Sequence, residues 1–561
     1  MKQAYSETSF AANDEGQVDY EKVDPSKYKD IFEKPNSFEE AWNHPCPFQR
    51  KKWREATQKE FSKMNGKKVW KKIKRSDMEE GRRCVKHRWV LEIKRSGVFR
   101  ARLVACGYSQ IPGTDFSQVY APVANDVSFR LLLIEMMVNG LEAMIFDIET
   151  AFLLGELDTV IYMDCPQGMD HEEDECLLLT KTIYGLVQSA RQYNIKYVNT
   201  LKKLGFEQCQ ADPCLFKRKD ETEVCFILIY VDDNLMVGNT ESMNKVLQEL
   251  SQTEFSYTVE LNLKDYLSCE VRRKGLTAWL GQPHMIKKLE KVFSEEVKNR
   301  QVYKTPGTPG HRIAKPKEGE AMIEPEKQSR YRTGTGMLMF LIKHSRPDIM
   351  NSVRELTKVL GKATIGAYRE MQRVIKYVLD TKQKGLKIEP KLSKNGKWFI
   401  EAYSDSDWAG DPDDRKSVGS FVIFVCGVPV IWRSKSHKCV SLSSSEAEFY
   451  ACAETVKEIP FVAQLLLFLD VEVELPVNVW VDNVGAIFMS ENVTSSTRTR
   501  HMDTRWWFVT NWQEEGLVKV QFVRTANNIS DIGTKNVNVD TFERHQVKLL
   551  KDKPDEEEEE T

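Results

Sequence analysis

The sequence predicts a mixed α/β (α+β) chain of several domains. Three observations carry that prediction. With 561 residues and 41% hydrophobic content, there is room for about three or four well-cored domains at roughly 150 residues each. Short apolar runs with period-two alternation stand among longer stretches with helical spacing. The stretch QVYKTPGTPGHRIAKPKEGE (301–320), dense in Pro and Gly, breaks regular structure between an earlier body and later helical and α/β parts.

Taken in order, residues 1–35 are polar and expected to be disordered, and residues 36–65 read as a helix with Ala41, Trp42 and Trp53 as apolar positions. Residues 87–105 read as a hairpin turning at Ser96-Gly97. In its second strand Phe99, Ala101 and Leu103 face one way, Arg100 and Arg102 the other. Residues 127–138 (VSFRLLLIEMMV) read as a helix. Within 141–152 (LEAMIFDIETAF), Ala143, Ile145, Asp147 and Glu149 share one strand face, so Asp147 ends an otherwise apolar strand. The runs 224–229 and 235–238 flank Tyr230-Val231-Asp232-Asp233 and read as a hairpin. Residues 331–380 return to helical patterning, and a last α/β unit begins near Phe399.

The net charge of −2 hides an uneven layout. Residues 50–102 carry RKKWR, KKVWKKIKR and RRCVKHR, interleaved with Trp53, Trp70 and Trp89. That pattern suits a phosphate backbone with bases nearby, the plain alternative being a solvated lysine-rich helix face. The end, KDKPDEEEEET, is strongly acidic and expected to be disordered. No run approaches the roughly 18 apolar residues of a membrane span, and the first residues hold no apolar signal core, so no membrane partner and no secretion are expected. The twelve cysteines are scattered without a CxxC pair, which reads as reduced thiols in an intracellular protein with no zinc site.

The chemistry begins with Asp232-Asp233. Two adjacent carboxylates at a hairpin tip repel and raise each other's pKa. A hard divalent cation relieves this, magnesium or manganese being suited to carboxylate oxygen. An Asp-Asp pair alone is ordinary turn chemistry. If the strand of Asp147 lies beside the hairpin, however, Asp147, Asp232 and Asp233 converge on two ions, an arrangement that serves phosphoryl transfer. Later segments add YSDSDWAGD (403–411), SSSEAEFYA (443–451), VNVWVDNVGA (477–486) and NNISDIGTK (527–535). Asp482 ends an alternating strand and Glu448 opens an apolar helix.

Several of these segments fall in a known order. RWVLEIKRSGVFRARLVACGYSQ, DFSQVYAPVA, DIETAFLLGELDTVIYMDCPQG, IYGLVQSARQ, ADPCLF, YVDD and SRPDI resemble the reverse transcriptase of copia-type long-terminal-repeat retrotransposons. The later acidic set resembles the ribonuclease H domain attached to it, and the resemblance covers roughly residues 40–535. It implies a right-hand polymerase: fingers, palm and the start of a thumb over 36–300, a linker and thumb/connection-like helical region over 301–398, an RNase H-like mixed sheet with flanking helices over 399–538, and an acidic tail over 539–561.

By the same resemblance Asp147, Asp232 and Asp233 hold two Mg2+ (or Mn2+) ions in the polymerase, and Asp405, Glu448, Asp482 and Asp531 hold two in the nuclease. Arg100, Arg102, Phe152, Gln167 and Tyr230 form the nucleotide-contacting set, Phe152 as the bulky ring that excludes a ribose 2′-hydroxyl. The implied partners are RNA template, DNA primer, RNA–DNA hybrid and dNTPs, with a homodimer or other Pol products as further partners. The implied location is a cytoplasmic virus-like particle with access to the nucleus. Departures stand at Cys106, where the family carries Lys, at Leu154, at YGLVQSAR, and at Leu267-Ser268-Cys269. No zinc knuckle and no integrase-type His/Cys pair occurs, so the expectation is a polymerase–nuclease portion alone. The reading is an RNA- and DNA-directed DNA polymerase with RNase H activity. Its rival is a non-catalytic nucleic-acid-binding relic or scaffold subunit.

Overall fold

The computed structural model describes residues 23–94, 96–261, 263, 266–491 and 503–554. Two compact units emerge, one of residues 1–122 and 148–205, the other of residues 123–147 and 206–561.

In the first unit, strands His87–Ile93 and Phe99–Ala105 pair antiparallel, with Ile93 opposite Phe99, as the alternation at 87–105 predicts. Phe99 packs edge-on against Trp53 of helix Pro47–Gly66 at 4.7 Å. The helix expected over 36–65 is two helices, Phe38–Trp42 and Pro47–Gly66. Pro45 and Pro47 explain the break, because the residue before a proline is pushed out of the helical region while Pro47 itself suits a first turn. A second, four-stranded sheet runs in the order Trp70–Lys74, Glu175–Lys181, Glu156–Met163, Cys84–Val85. The disorder expected for 1–35 fails over residues 23–35. Tyr28 and Phe32 are buried and pack their rings against Phe48 and Phe99. Residues 1–22 lie outside the described residues.

Among the described residues, the second unit holds three sheets. The six-stranded one runs Tyr257–Glu260, Glu142–Ile148, Asp233–Gly238, Val224–Tyr230, Leu215–Lys219, Glu207–Gln208. Helix Asp126–Asn139 packs beside it with eleven buried residues, closed by Gly140 in the left-handed region at φ 63°. The four-stranded sheet joins Glu270–Lys274, Thr277–Gly281, Lys384–Ile388 and Leu550–Asp552. Residues 331–380 are helical as expected, in Pro325–His344, Met350–Thr357 and Ile365–Asp380, and share a core built on Phe293, Leu338, Leu341, Met371 and Ile375. Residues 301–320 contain no helix or strand.

The five-stranded sheet runs Val428–Ser436, Val418–Val425, Trp398–Asp407, Val473–Val481, Val518–Phe522. Its first three strands are antiparallel, and Val473–Val481 runs parallel to both its neighbours. Counted along the chain, that order is 3-2-1-4-5. Helix Ser444–Val456, capped by the Ser443 hydroxyl, crosses it. The acidic tail expected over 539–561 is a correction. Residues Val539–Leu549 form a helix and Leu550–Asp552 a strand, with Phe542, Leu549 and Leu550 buried. Residues 555–561 lie outside the described residues.

Candidate active sites

The first site stands on the hairpin Val224–Tyr230/Asp233–Gly238, where Tyr230 pairs with Asp233. Val231 and Asp232 make the two-residue connection, and Val231 takes a φ of 59°. That is a strained conformation for a β-branched residue, of the kind that clusters where geometry serves function. Asp233 lies directly opposite Asp147 on strand Glu142–Ile148. Like charges directly opposite each other destabilise a sheet. Buried Asn234 ties the turn down: its amide donates to the carbonyl of Phe146 at 3.3 Å and to that of Asp232 at 2.9 Å.

Beside Tyr230 and Asp233 opens a cavity of about 240 Å³, lined also by Asp126, Ser268, Lys343 and His344. His344 Nδ1 lies 2.7 Å from Asp126 Oδ1. Burial opposes the charge on Asp126, but the His344 hydrogen bond, Arg130 and Lys343 together hold its carboxyl below the ordinary value. Asp147, Asp232 and Asp233 are each half-buried. The fold brings Asp147 and Asp233 together as expected, with Asp232 at the adjoining turn.

The second site is tighter. Asp405 lies on the central strand Trp398–Asp407, Glu448 on helix Ser444–Val456, and Asp482 just past strand Val473–Val481. Each offers a carboxylate oxygen within 4.8 Å of the others. Among the described residues this is the acidic group drawn that close; the trio at 147, 232 and 233 is not. Asp405 and Glu448 are 4% and 6% exposed. Burial is the first cause raising both carboxyls, and the neighbouring carboxylates are the second. Glu448 Oε2 has no hydrogen-bond partner among the described residues. Buried carboxylates that are mutually close and incompletely paired fit a hard divalent cation.

Asp531 opens the short helix Asp531–Thr534 and adds to the field that raises Asp405. It ion-pairs with Lys535 at 2.5 Å. The sequence reading quoted Lys535 without giving it a role. Its spacing of four from Asp531 on a helical stretch was the available signal. Also unassigned were Thr534, whose hydroxyl donates to Asp405 Oδ2, and Asn528, whose amide donates to the Ser404 carbonyl at 2.8 Å. Asp407, paired with Arg312, shares the strand face of Asp405.

The remaining expected residues belong to the first unit. Arg102 lies 5.3 Å from the Tyr184 ring centroid, and burial lowers the pKa of Arg100. Phe152 packs edge-on against Tyr184 and Tyr193. Gln167 donates to Glu39, and its carbonyl accepts from the Trp89 indole at 3.2 Å.

Residues 67–306 match the family described as reverse transcriptase (RNA-dependent DNA polymerase). That segment is a reverse transcriptase-family domain. Beyond it, most of the chain has homologues in the Pol polyproteins of plant copia-type transposons. It is 29% identical over 522 residues to the retrovirus-related Pol polyprotein from transposon TNT 1-94 of Nicotiana tabacum, covering 91% of this chain and 38% of that protein. It is 30% identical over 455 residues to the corresponding polyprotein from transposon RE1 of Arabidopsis thaliana, covering 80% of this chain and 30% of that protein. The chain therefore spans about a third of the length of these relatives, 38% and 30%. Among solved structures it is similar to a foamy viral protease-reverse transcriptase in complex with RNA/DNA hybrid, at 12% identity and a TM-score of 0.41, covering 84% of this chain and 53% of that one.

Proposed function

We propose that the chain is an RNA- and DNA-directed DNA polymerase that also hydrolyses the RNA strand of RNA–DNA hybrids. One observation carries the reading. Asp147 and Asp233 face each other at the tip of an apolar sheet, beside Asp232, and lie within the segment that matches the reverse transcriptase family. Asp147, Asp232 and Asp233 would hold divalent metal at the polymerase site; Asp405, Glu448, Asp482 and Asp531 would hold it at the nuclease site. The metal would supply Lewis-acid stabilisation of charge on phosphoryl oxygens.

The chain's own groups do the rest. Asn234 fixes the turn that carries Asp232 and Asp233. Thr534 and Asn528 hold the strand end that carries Asp405. Lys535 offsets carboxylate charge at Asp531. Arg100, Arg102, Phe152, Gln167 and Tyr230 are the proposed nucleotide contacts, an arginine fork being suited to a triphosphate. The partners are RNA template, DNA primer, hybrid and dNTPs. Fingers, palm and the start of the thumb are assigned to 36–300, the connection to 301–398, and the nuclease to 399–538. The last segment, 539–552, is folded.

Magnesium-dependent dTTP incorporation on poly(rA)/oligo(dT) tests the reading, run beside Asp232→Asn/Asp233→Asn. The expected result is incorporation that the double variant abolishes. A folded protein that binds hybrid and incorporates nothing with magnesium or manganese would instead support a non-catalytic nucleic-acid-binding subunit.

A further inference from the structure

Against the five-stranded sheet lies a cavity of about 250 Å³ whose walls include none of Asp405, Glu448, Asp482 and Asp531. One wall is His437, just past strand Val428–Ser436 and 6% exposed. Neither ring nitrogen of His437 has a hydrogen-bond partner among the described residues. A buried polar group left without a partner is rare and calls for an explanation. The imidazole is held in place rather than free to turn away. It packs against Tyr450 with the rings tilted by 32° and 4.2 Å between centroids, and a Cβ at Gly419 would come within 2.6 Å of its Nε2, so glycine there makes the room it occupies.

The lining is basic. Arg505 lies 4.2 Å from the Tyr450 ring centroid, with its guanidinium 3.3 Å from the Tyr450 hydroxyl. Lys435 and Lys438 line the same cavity and make no ion pair among the described residues. Some charge is already matched: Arg433 pairs with Glu458 at 2.7 Å, and Glu454 stands 3.9 Å from both Lys457 and Arg505. A surplus of cations remains around a neutral ring, since burial first and Arg505 second push the His437 pKa down to about 4. Tyr450 is two positions from Glu448 on its helix, so the two side chains leave different faces. Ala451, three positions past Glu448, and Ser420, opposite Asp405, do line the cavity, so it borders the acidic site without containing any of its carboxylates.

We propose that this cavity binds a phosphate group carried by a nucleotide, either a free mononucleotide or one unit of a nucleic-acid strand. The guanidinium fork of Arg505 and the lysines meet the phosphate. The imidazole of His437 donates one hydrogen bond from its protonated nitrogen. The volume exceeds what a bare anion fills, and the aromatic walls Tyr450 and Phe421 suit an attached sugar or base. The inference does not depend on polymerase or nuclease activity.

Calorimetric titration of the full chain in chelator tests it, with deoxyadenosine monophosphate, inorganic phosphate and unphosphorylated deoxyadenosine as probes. The two phosphate-bearing probes are expected to bind and the nucleoside is not. Arg505→Gln should weaken the monophosphate by about tenfold, the scale of one lost charge-assisted contact. The pair Lys435→Gln/Lys438→Gln, at exposed positions that the fold does not need, should weaken it several-fold. Displacement of the monophosphate by saturating RNA–DNA hybrid identifies the strand as the source; retention identifies the free nucleotide. No binding of either phosphate probe, or binding that neither variant weakens, overturns the proposal.

Discussion

Glu448 is the residue under most electrostatic pressure in the acidic cluster of Asp405, Glu448 and Asp482. Burial, then Asp405 and Asp482, raise its carboxyl above the ordinary 4.5. The folded form therefore keeps a proton that the unfolded chain has already lost above about pH 4.5, so the site's contribution to stability is greatest at low pH and declines as pH rises towards the raised value. Without metal, the melting temperature should fall between about pH 5 and about pH 8. Glu448→Gln should flatten that fall and raise the melting temperature by about 2–4 °C for each kcal/mol of repulsion removed. Magnesium should shrink the difference. Lys535→Met should do the reverse, lowering the melting temperature in chelator because it strips the cation 2.5 Å from Asp531. Scanning calorimetry in chelator and in magnesium checks both, and a Glu448→Gln curve that matches wild type would argue against a crowded site. Part of this was legible beforehand: Asp147 ends an apolar strand and Asp482 an alternating one. The ranking was not. Sequence reading placed the repulsion first at Asp232-Asp233. Burial concentrates it instead at Asp405 and Glu448, which meet only when a strand and a helix pack.

At the scale of elements, periodicity found the strands and helices that position the sites, and composition misled at both ends. The C-terminal acidic run starts near Lys551, and its character was extended back over a helix with its own signals. Asn538 caps that helix by accepting from the Thr541 amide at 2.9 Å, and Phe542 and Leu549 stand seven apart on one face. Phe542 packs edge-on against Tyr377 at 5.9 Å, and Leu550 pairs with Leu386 across the sheet. The same error hid Tyr28 and Phe32, whose partners Phe48 and Phe99 follow far along the chain. Truncation after Pro554 should leave the urea midpoint unchanged. Truncation after Asn538 should lower stability by several kcal/mol, since three buried apolar side chains contribute about 1.5–3 kcal/mol each. Equal midpoints for the two truncations would show that this helix and strand contribute nothing.

At the scale of the whole molecule, one residue in the second unit links the sheet of Asp233 to the sheet of Asp405. Arg130, on helix Asp126–Asn139, is 4% exposed. It donates to the Val430 carbonyl at 2.8 Å and the Lys343 carbonyl at 2.6 Å, and lies 4.1 Å from the Trp432 ring centroid. The Trp432 indole donates in turn to the Ile342 carbonyl at 2.9 Å. A lone arginine in VSFRLLLIEMMV was visible in the sequence, but its partners lie 213 and 300 residues away, beyond any local pattern. Burial lowers its pKa to about 10, so it remains charged at neutral pH. Arg130→Met would strand these carbonyls at a cost of about 1–3 kcal/mol each. Each carboxylate set keeps its own strands and helices, so the two proposed activities should survive separately. What should change is their registration. During synthesis on end-labelled RNA, wild-type cuts should fall at one set distance behind the primer terminus. Arg130→Met should spread them over several positions, because the clamp that fixes the spacing of the two sites has gone. A cut pattern as sharp as wild type, from a variant shown to be less stable, would mean that the hybrid itself sets the distance and the Arg130 contact serves folding alone.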